Sequence, residues 1–108
     1  MAPRLWGSAL PVEIPTSISR RQFFQVLANR EMITRQEALD AVTLGTLPAA
    51  FVVMIEAIPD EDVRWNTQMS FTAQTFERAF WAVNFFGAMQ NMSPADIDQL
   101  WRDGAKLD

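Results

Sequence analysis

The sequence contains no cysteine, no histidine and no tyrosine. Without cysteine there is no disulfide framework. Without thiolate or imidazole there is no zinc finger, no iron–sulfur cluster and no Cys or Ser–His nucleophilic system. Positive charge is also scarce: nine Lys and Arg stand against thirteen Asp and Glu, for a formal net charge of -4. A general nucleic-acid binder needs a basic face to displace counterions, so this balance argues against one. Long apolar runs are missing as well. No stretch approaches the ~18 apolar residues that a membrane span requires. The first residues, MAPRLWGSALPVEIPTS, make a poor signal peptide, because Gly and Pro break the short apolar run after the single Arg. The expected setting is the cytoplasm until the chain meets its partners.

What is present is one domain's worth of core. The chain has 108 residues, 49% of them hydrophobic and 20% charged, which supports a single packed interior and argues against general disorder. Eight Phe and four Trp are a heavy aromatic load. Buried, they carry large apolar area; clustered outside, they mark a binding surface.

Residues 1–18 read as an extended or irregular arm. Pro3, Pro11 and Pro15 fix φ and remove amide donors, while Leu5, Trp6, Leu10, Val12, Ile14 and Ile18 are too apolar for a free tail. The arm either lies over its own core or reaches a neighbouring chain, and in the second case Leu5 and Trp6 are contact residues. Residues 19–108 read as the helical domain.

Helix starts then recur. Ser19-Arg20-Arg21-Gln22 and Thr34-Arg35-Gln36-Glu37 have the capping-box form. The first opens a helix over about 20–30 with Phe23, Phe24, Val26 and Leu27 on one face. The second opens a short helix with Ala38, Leu39 and Val42 inward, ended by Gly45 in the left-handed position. Pro48 fits the first turn of a third helix, Ala49 to Ile58, apolar apart from Glu56 and so expected at the centre. Its Val52, Val53 and Ile55 leave a strand open there.

Asp60, Glu61 and Asp62 suit the start of a fourth helix, where acids oppose the dipole. An EF-hand would need alternating acids, a central Gly and a later Glu, so capping explains this cluster. Trp65, Met69, Thr72 and Phe76 are spaced four, three and four and form one stripe. A fifth helix covers about 78–90, and whether it continues the fourth is open. Ser93-Pro94-Ala95-Asp96 opens the last, with Ile97, Leu100 and Trp101 inward. The expected fold is all-α: a single bundle of about five or six short helices with the Pro-containing arm.

Two features point to contacts. Arg20 and Arg21 fall in a first helical turn, where positive charge is mildly unfavourable. They are either a solvated pair or an anchor for an acidic partner surface, since Arg forks engage carboxylates. In helix 78–90, Phe80, Val83 and Gly87 form one apolar stripe, and Trp81, Phe85, Ala88, Met89 and Met92 a second. The two together exceed the arc a surface helix needs: either this is the central helix of the bundle, or one stripe meets another chain, with Trp81, Phe85 and Met89 as the candidate partner-binding residues. The helix-turn-helix look of residues 20–44 does not signal DNA, because Glu37 and Asp40 would meet phosphates. No catalytic residue, cofactor or metal ligand is expected.

The strings Ile18-Ser19-Arg20-Arg21-Gln22-Phe23-Phe24-Gln25, Ile33-Thr34-Arg35-Gln36-Glu37-Ala38-Leu39 and Gly45-Thr46-Leu47-Pro48-Ala49 carry a resemblance. They resemble small proteins encoded beside the tail-fibre genes of tailed bacteriophages and prophages of alphaproteobacterial hosts. Similar segments also resemble C-terminal regions of some phage tail-fibre proteins. Ile58-Pro59, Met69 and Phe76-Glu77-Arg78 continue the order of motifs in that group. Ala79-Phe80-Trp81 departs from it, standing where the group often has a polar residue and Pro-Leu. The resemblance implies a non-enzymatic phage protein acting through protein–protein contact: a virion component at the tail or fibre attachment, or a tail-fibre assembly chaperone. It implies a phage tail, fibre or baseplate protein, or a second copy, as partner. The location would be the virion tail region or the host cytoplasm during assembly. A small acidic effector that binds and inhibits a host protein is the alternative.

Overall fold

The computed structural model describes residues 13–108, so Leu5 and Trp6 lie outside the described residues. The fold is mostly helical, with a small two-stranded sheet that the all-α expectation did not include. In chain order the elements are β1 (Ser17–Ser19), α1 (Arg20–Asn29), α2 (Arg35–Thr43), α3 (Ala49–Glu56), α4 (Glu61–Ser70), β2 (Thr75–Glu77), α5 (Trp81–Met89) and α6 (Pro94–Ala105).

Local chemistry starts the helices as expected. Ser19 and Gln22 form a reciprocal capping box at α1, Thr34 and Glu37 at α2, and Ser93 and Asp96 at α6. Each satisfies amide donors that a helix start leaves unpaired. The Asp60 carboxylate caps α4 through the Val63 N–H at 3.0 Å. Gly45 takes the left-handed conformation just past α2 (φ +77).

The two strands pair antiparallel, with Ser17 opposite Glu77, Ile18 opposite Phe76 and Ser19 opposite Thr75. Backbone bonds from Arg78 to Thr16 (2.8 Å) and from Arg20 to Gln74 (2.7 Å) bracket the pair. Both strands alternate, and the central Ile18 and Phe76 point into the core. Ile18 therefore belongs to the core.

α1 is the hub. Phe23, Phe24, Val26 and Leu27 are buried, and the helix packs against α2, α6 and both strands. Phe23 meets the rings of Phe24, Phe51, Phe76 and Trp101 at centroid distances of 4.9–5.9 Å. Most of these contacts are edge-to-face, the arrangement the ring quadrupole favours. α3, expected at the centre, lies at the side. It buries Phe51, Met54 and Ile55 but leaves Val52 and Val53 exposed.

The expected fourth-helix stripe is not formed. α4 ends at Ser70, and Phe76 lies in β2. The Ser70 and Thr72 hydroxyls donate to the Asn66 and Met69 carbonyls, competing with the backbone ladder where the helix stops. Thr67 and Phe71 face inward instead, and Trp65 and Met69 face outward. The buried Thr67 hydroxyl is satisfied by the Val63 carbonyl at 2.7 Å. The intervening strand also separates α4 from α5, so the two are not one helix. On α2 the buried side is Ala38 and Ala41, while Leu39 and Val42 are exposed. The small residues let α2 lie close to α1.

Candidate interaction surfaces

α5 begins at Trp81, after Phe80, three residues later than its apolar pattern suggests. Ala82, Val83, Phe86 and Gly87 turn inward. Phe86 stacks on Phe51 at 4.2 Å with the planes 10° apart. Gly87 is required by close packing: a Cβ there would collide with Ile97 Cδ1 and stand 2.9 Å from Ile97 Cγ1. The second stripe faces solvent. Trp81 is 47% exposed, Phe85 37% and Met89 43%. Trp81 and Phe85 touch each other at 5.9 Å between centroids. A shallow dent of about 210 Å³ separates Trp81 from Val63, Asn66 and Ser70 of α4. An exposed aromatic pair beside a dent can accept an apolar side chain from another molecule.

Arg78 fixes the approach to α5. Its guanidinium donates to Asp98 (2.8 Å), Asn84 (2.9 Å) and the Pro94 carbonyl (3.1 Å). It joins the end of β2 to α5 and α6, so the Trp81 stripe stands on a braced platform.

The arginine pair divides. Arg20 is 6% exposed and is not a surface anchor. Its Nε and one terminal nitrogen donate to the Ala41 carbonyl at 3.1 and 2.9 Å, and the other terminal nitrogen donates to the Phe71 carbonyl. The guanidinium lies 5.0 Å from the Phe24 ring centroid and 5.9 Å from that of Phe76. Ala41 is near the end of α2 and Phe71 caps α4. The cation thus meets carbonyls at two helix C-termini, where the dipoles are negative. Burial pushes its pKa below the ordinary arginine value, yet arginine stays charged. Arg21 is half-buried and donates to Gln25 and to the Leu107 carbonyl.

Two apolar surfaces were not expected: Leu39 with Val42 on α2, and Trp65 with Met69 on α4. Helical spacing places Leu39 and Val42 inward, and it shows Trp65 and Met69 sharing one stripe without fixing its direction. Ala38 is inward as expected, joined by Ala41, and on α4 the inward positions are Thr67 and the capping Phe71. Among the described residues no group of three His, Cys, Asp or Glu could hold a metal ion, and no helix is long and apolar enough to cross a membrane. No protein-family model, no curated protein and no solved structure matches this chain.

Proposed function

We propose that the chain is a non-enzymatic bacteriophage protein acting through protein–protein contact, at the tail or fibre attachment of the virion or as a tail-fibre assembly chaperone. The phage setting rests on the motif order of residues 18–49 and 58–78. The mode of action rests on one observation, the exposed Trp81–Phe85–Met89 stripe on a helix whose other side is firmly packed. Desolvated aromatics dominate the energetics of most interfaces.

Mass spectrometry of purified phage particles and of infected cells tests this reading. A stoichiometric signal in particles identifies a virion subunit. A signal confined to infected cells, with capture of a tail or fibre protein by the tagged chain, identifies a chaperone. Absence from particles combined with no such capture overturns the proposal. Trp81→Ala should weaken capture by about 2 kcal/mol or more while leaving the fold nearly unchanged.

A further inference from the structure

Two further outward surfaces are complementary to each other. The first is a groove of about 460 Å³ between α1 and α2, floored by Ala28, Ala38, Leu39 and Val42 and flanked by Arg21 and Arg35. Leu39 is 56% exposed. Both arginines stand in the first turn of a helix, where a cation opposes the dipole. Among the described residues the ion pairs are Arg30–Asp103 and Arg78–Asp98, so neither Arg21 nor Arg35 has a carboxylate partner. The acids on α2 are engaged elsewhere. Glu37 accepts from the Thr34 and Ala49 amides, and Asp40 accepts from Gln36.

The second surface is the outer side of α4. Glu61, Asp62 and Trp65 line one hollow of about 430 Å³. Met69 lies one turn beyond Trp65, and the two are 49% and 58% exposed respectively. Arg64 also borders this hollow, but its guanidinium donates to the Ile58 carbonyl at 2.6 Å. Dipole compensation accounts for Glu61 and Asp62. It does not account for a Trp and a Met turned to solvent beside them.

We infer that the chain associates with itself through these unlike surfaces. The outer side of α4 in one copy docks in the α1–α2 groove of the next. Trp65 and Met69 cover Leu39 and Val42, and Glu61 and Asp62 meet Arg21 and Arg35. Arginine forks bind carboxylates with defined geometry. Residues 61 and 65 are one turn apart, about 6 Å along the helix, so acid and aromatic enter the groove together. Each copy carries both halves, and a contact between unlike surfaces builds rings or chains. The α5 stripe takes no part and remains open to another partner.

Analytical ultracentrifugation of the full chain tests the inference, with circular dichroism as the check on folding. The unmodified chain should self-associate, less so as salt rises. Arg21→Glu/Arg35→Glu and Trp65→Ser/Met69→Ser should each weaken association about thirtyfold or more. Mixed together, these two variants should form a one-to-one complex that grows no further, because one keeps the α4 surface and the other the groove. Where a double variant loses its helical signal, Leu39→Ser or Met69→Ser replaces it. A strictly monomeric chain overturns the inference. So does a mixture that forms no complex, or self-association that survives both variants and disappears in Trp81→Ala.

Discussion

Most of the described aromatic residues fall into an inner and an outer group, with the half-buried Phe80 touching Phe71 on one side and Trp81 on the other. Inside, Phe23, Phe24, Phe51, Phe71, Phe76, Phe86 and Trp101 are buried and linked ring to ring. Outside, Trp65, Trp81 and Phe85 are exposed. The inner rings contribute to folding, since their water is already removed. The outer rings keep 37–58% of their surface in water, and the burial of that remainder is available for binding. Similar side chains thus serve stability in one place and association in another, and the difference is set by which side of a helix they occupy.

The sharpest way to break this comparison is a matched pair of truncations. Phe23→Ala should cost about 3–5 kcal/mol, because it empties the centre of the ring cluster. Phe85→Ala should cost only about 1 kcal/mol, in keeping with its partial burial. Chemical denaturation of both variants measures this directly, and equal losses would put Phe85 in the core.

Next in size is Arg20→Met. It removes the donors to the Ala41 and Phe71 carbonyls but also the desolvation cost of a buried cation. The net loss should be about 2 kcal/mol. Arg20→Lys should recover only part of it, since an ammonium is a point charge and lacks the fork. A fully stable Arg20→Met would show that the helix-end carbonyls do not depend on this cation.

Gly87→Ala should cost less, about 1–2 kcal/mol. Overpacking against Ile97 costs about 1–3 kcal/mol, and the better helix propensity of alanine offsets about 1 kcal/mol. The double variant Gly87→Ala/Ile97→Val should recover stability if the clash with Ile97 is the cause. Thermal melts of both variants decide it.

The smallest effect belongs to the rim. Glu37, Asp96 and Asp103 are held below their ordinary carboxylate values. The leading causes are the Thr34 amide for Glu37, the Ser93 amide for Asp96 and the Arg30 guanidinium for Asp103. A carboxylate whose pKa is lowered by folding contributes stability above its unfolded pKa. That contribution is lost as pH falls through the folded value. The melting temperature should therefore hold steady from neutral pH and begin to fall near pH ~4. Glu37→Gln should flatten that fall, and an identical pH profile in this variant would rule out its cap as a contributor.

The parts of the fold legible in sequence were those decided within one helical turn. The caps at Ser19, Thr34, Asp60 and Ser93 need only residues up to three positions away, and all four formed. The inner side of α6, with Ile97, Leu100 and Trp101, was also clear because one apolar stripe faces one polar stripe. Where two stripes compete, the less hydrophobic one is buried. α2 turns Ala38 and Ala41 inward, and α4 turns Thr67 inward, because closeness of approach and a satisfied hydroxyl decided the packing. β1 and β2 were not legible. They are short, and their pairing partners are far apart in the chain. Among the candidate contact residues, Trp81, Phe85 and Met89 do stand outside. Arg20 does not, since nothing local distinguishes it from Arg21. Its burial depends on carbonyls contributed by α2 and the end of α4.

The contact between Phe23 and Trp101 also orders events during synthesis. α1 emerges from the ribosome before α6, and the indole that covers one flank of Phe23 belongs to α6, at the opposite end of the described chain. Until α6 is made, part of that ring has no native neighbour. A nascent chain therefore carries an unfinished hydrophobic surface from the synthesis of α1 until that of α6. Protease resistance of arrested chains should rise only once Trp101 has cleared the exit tunnel.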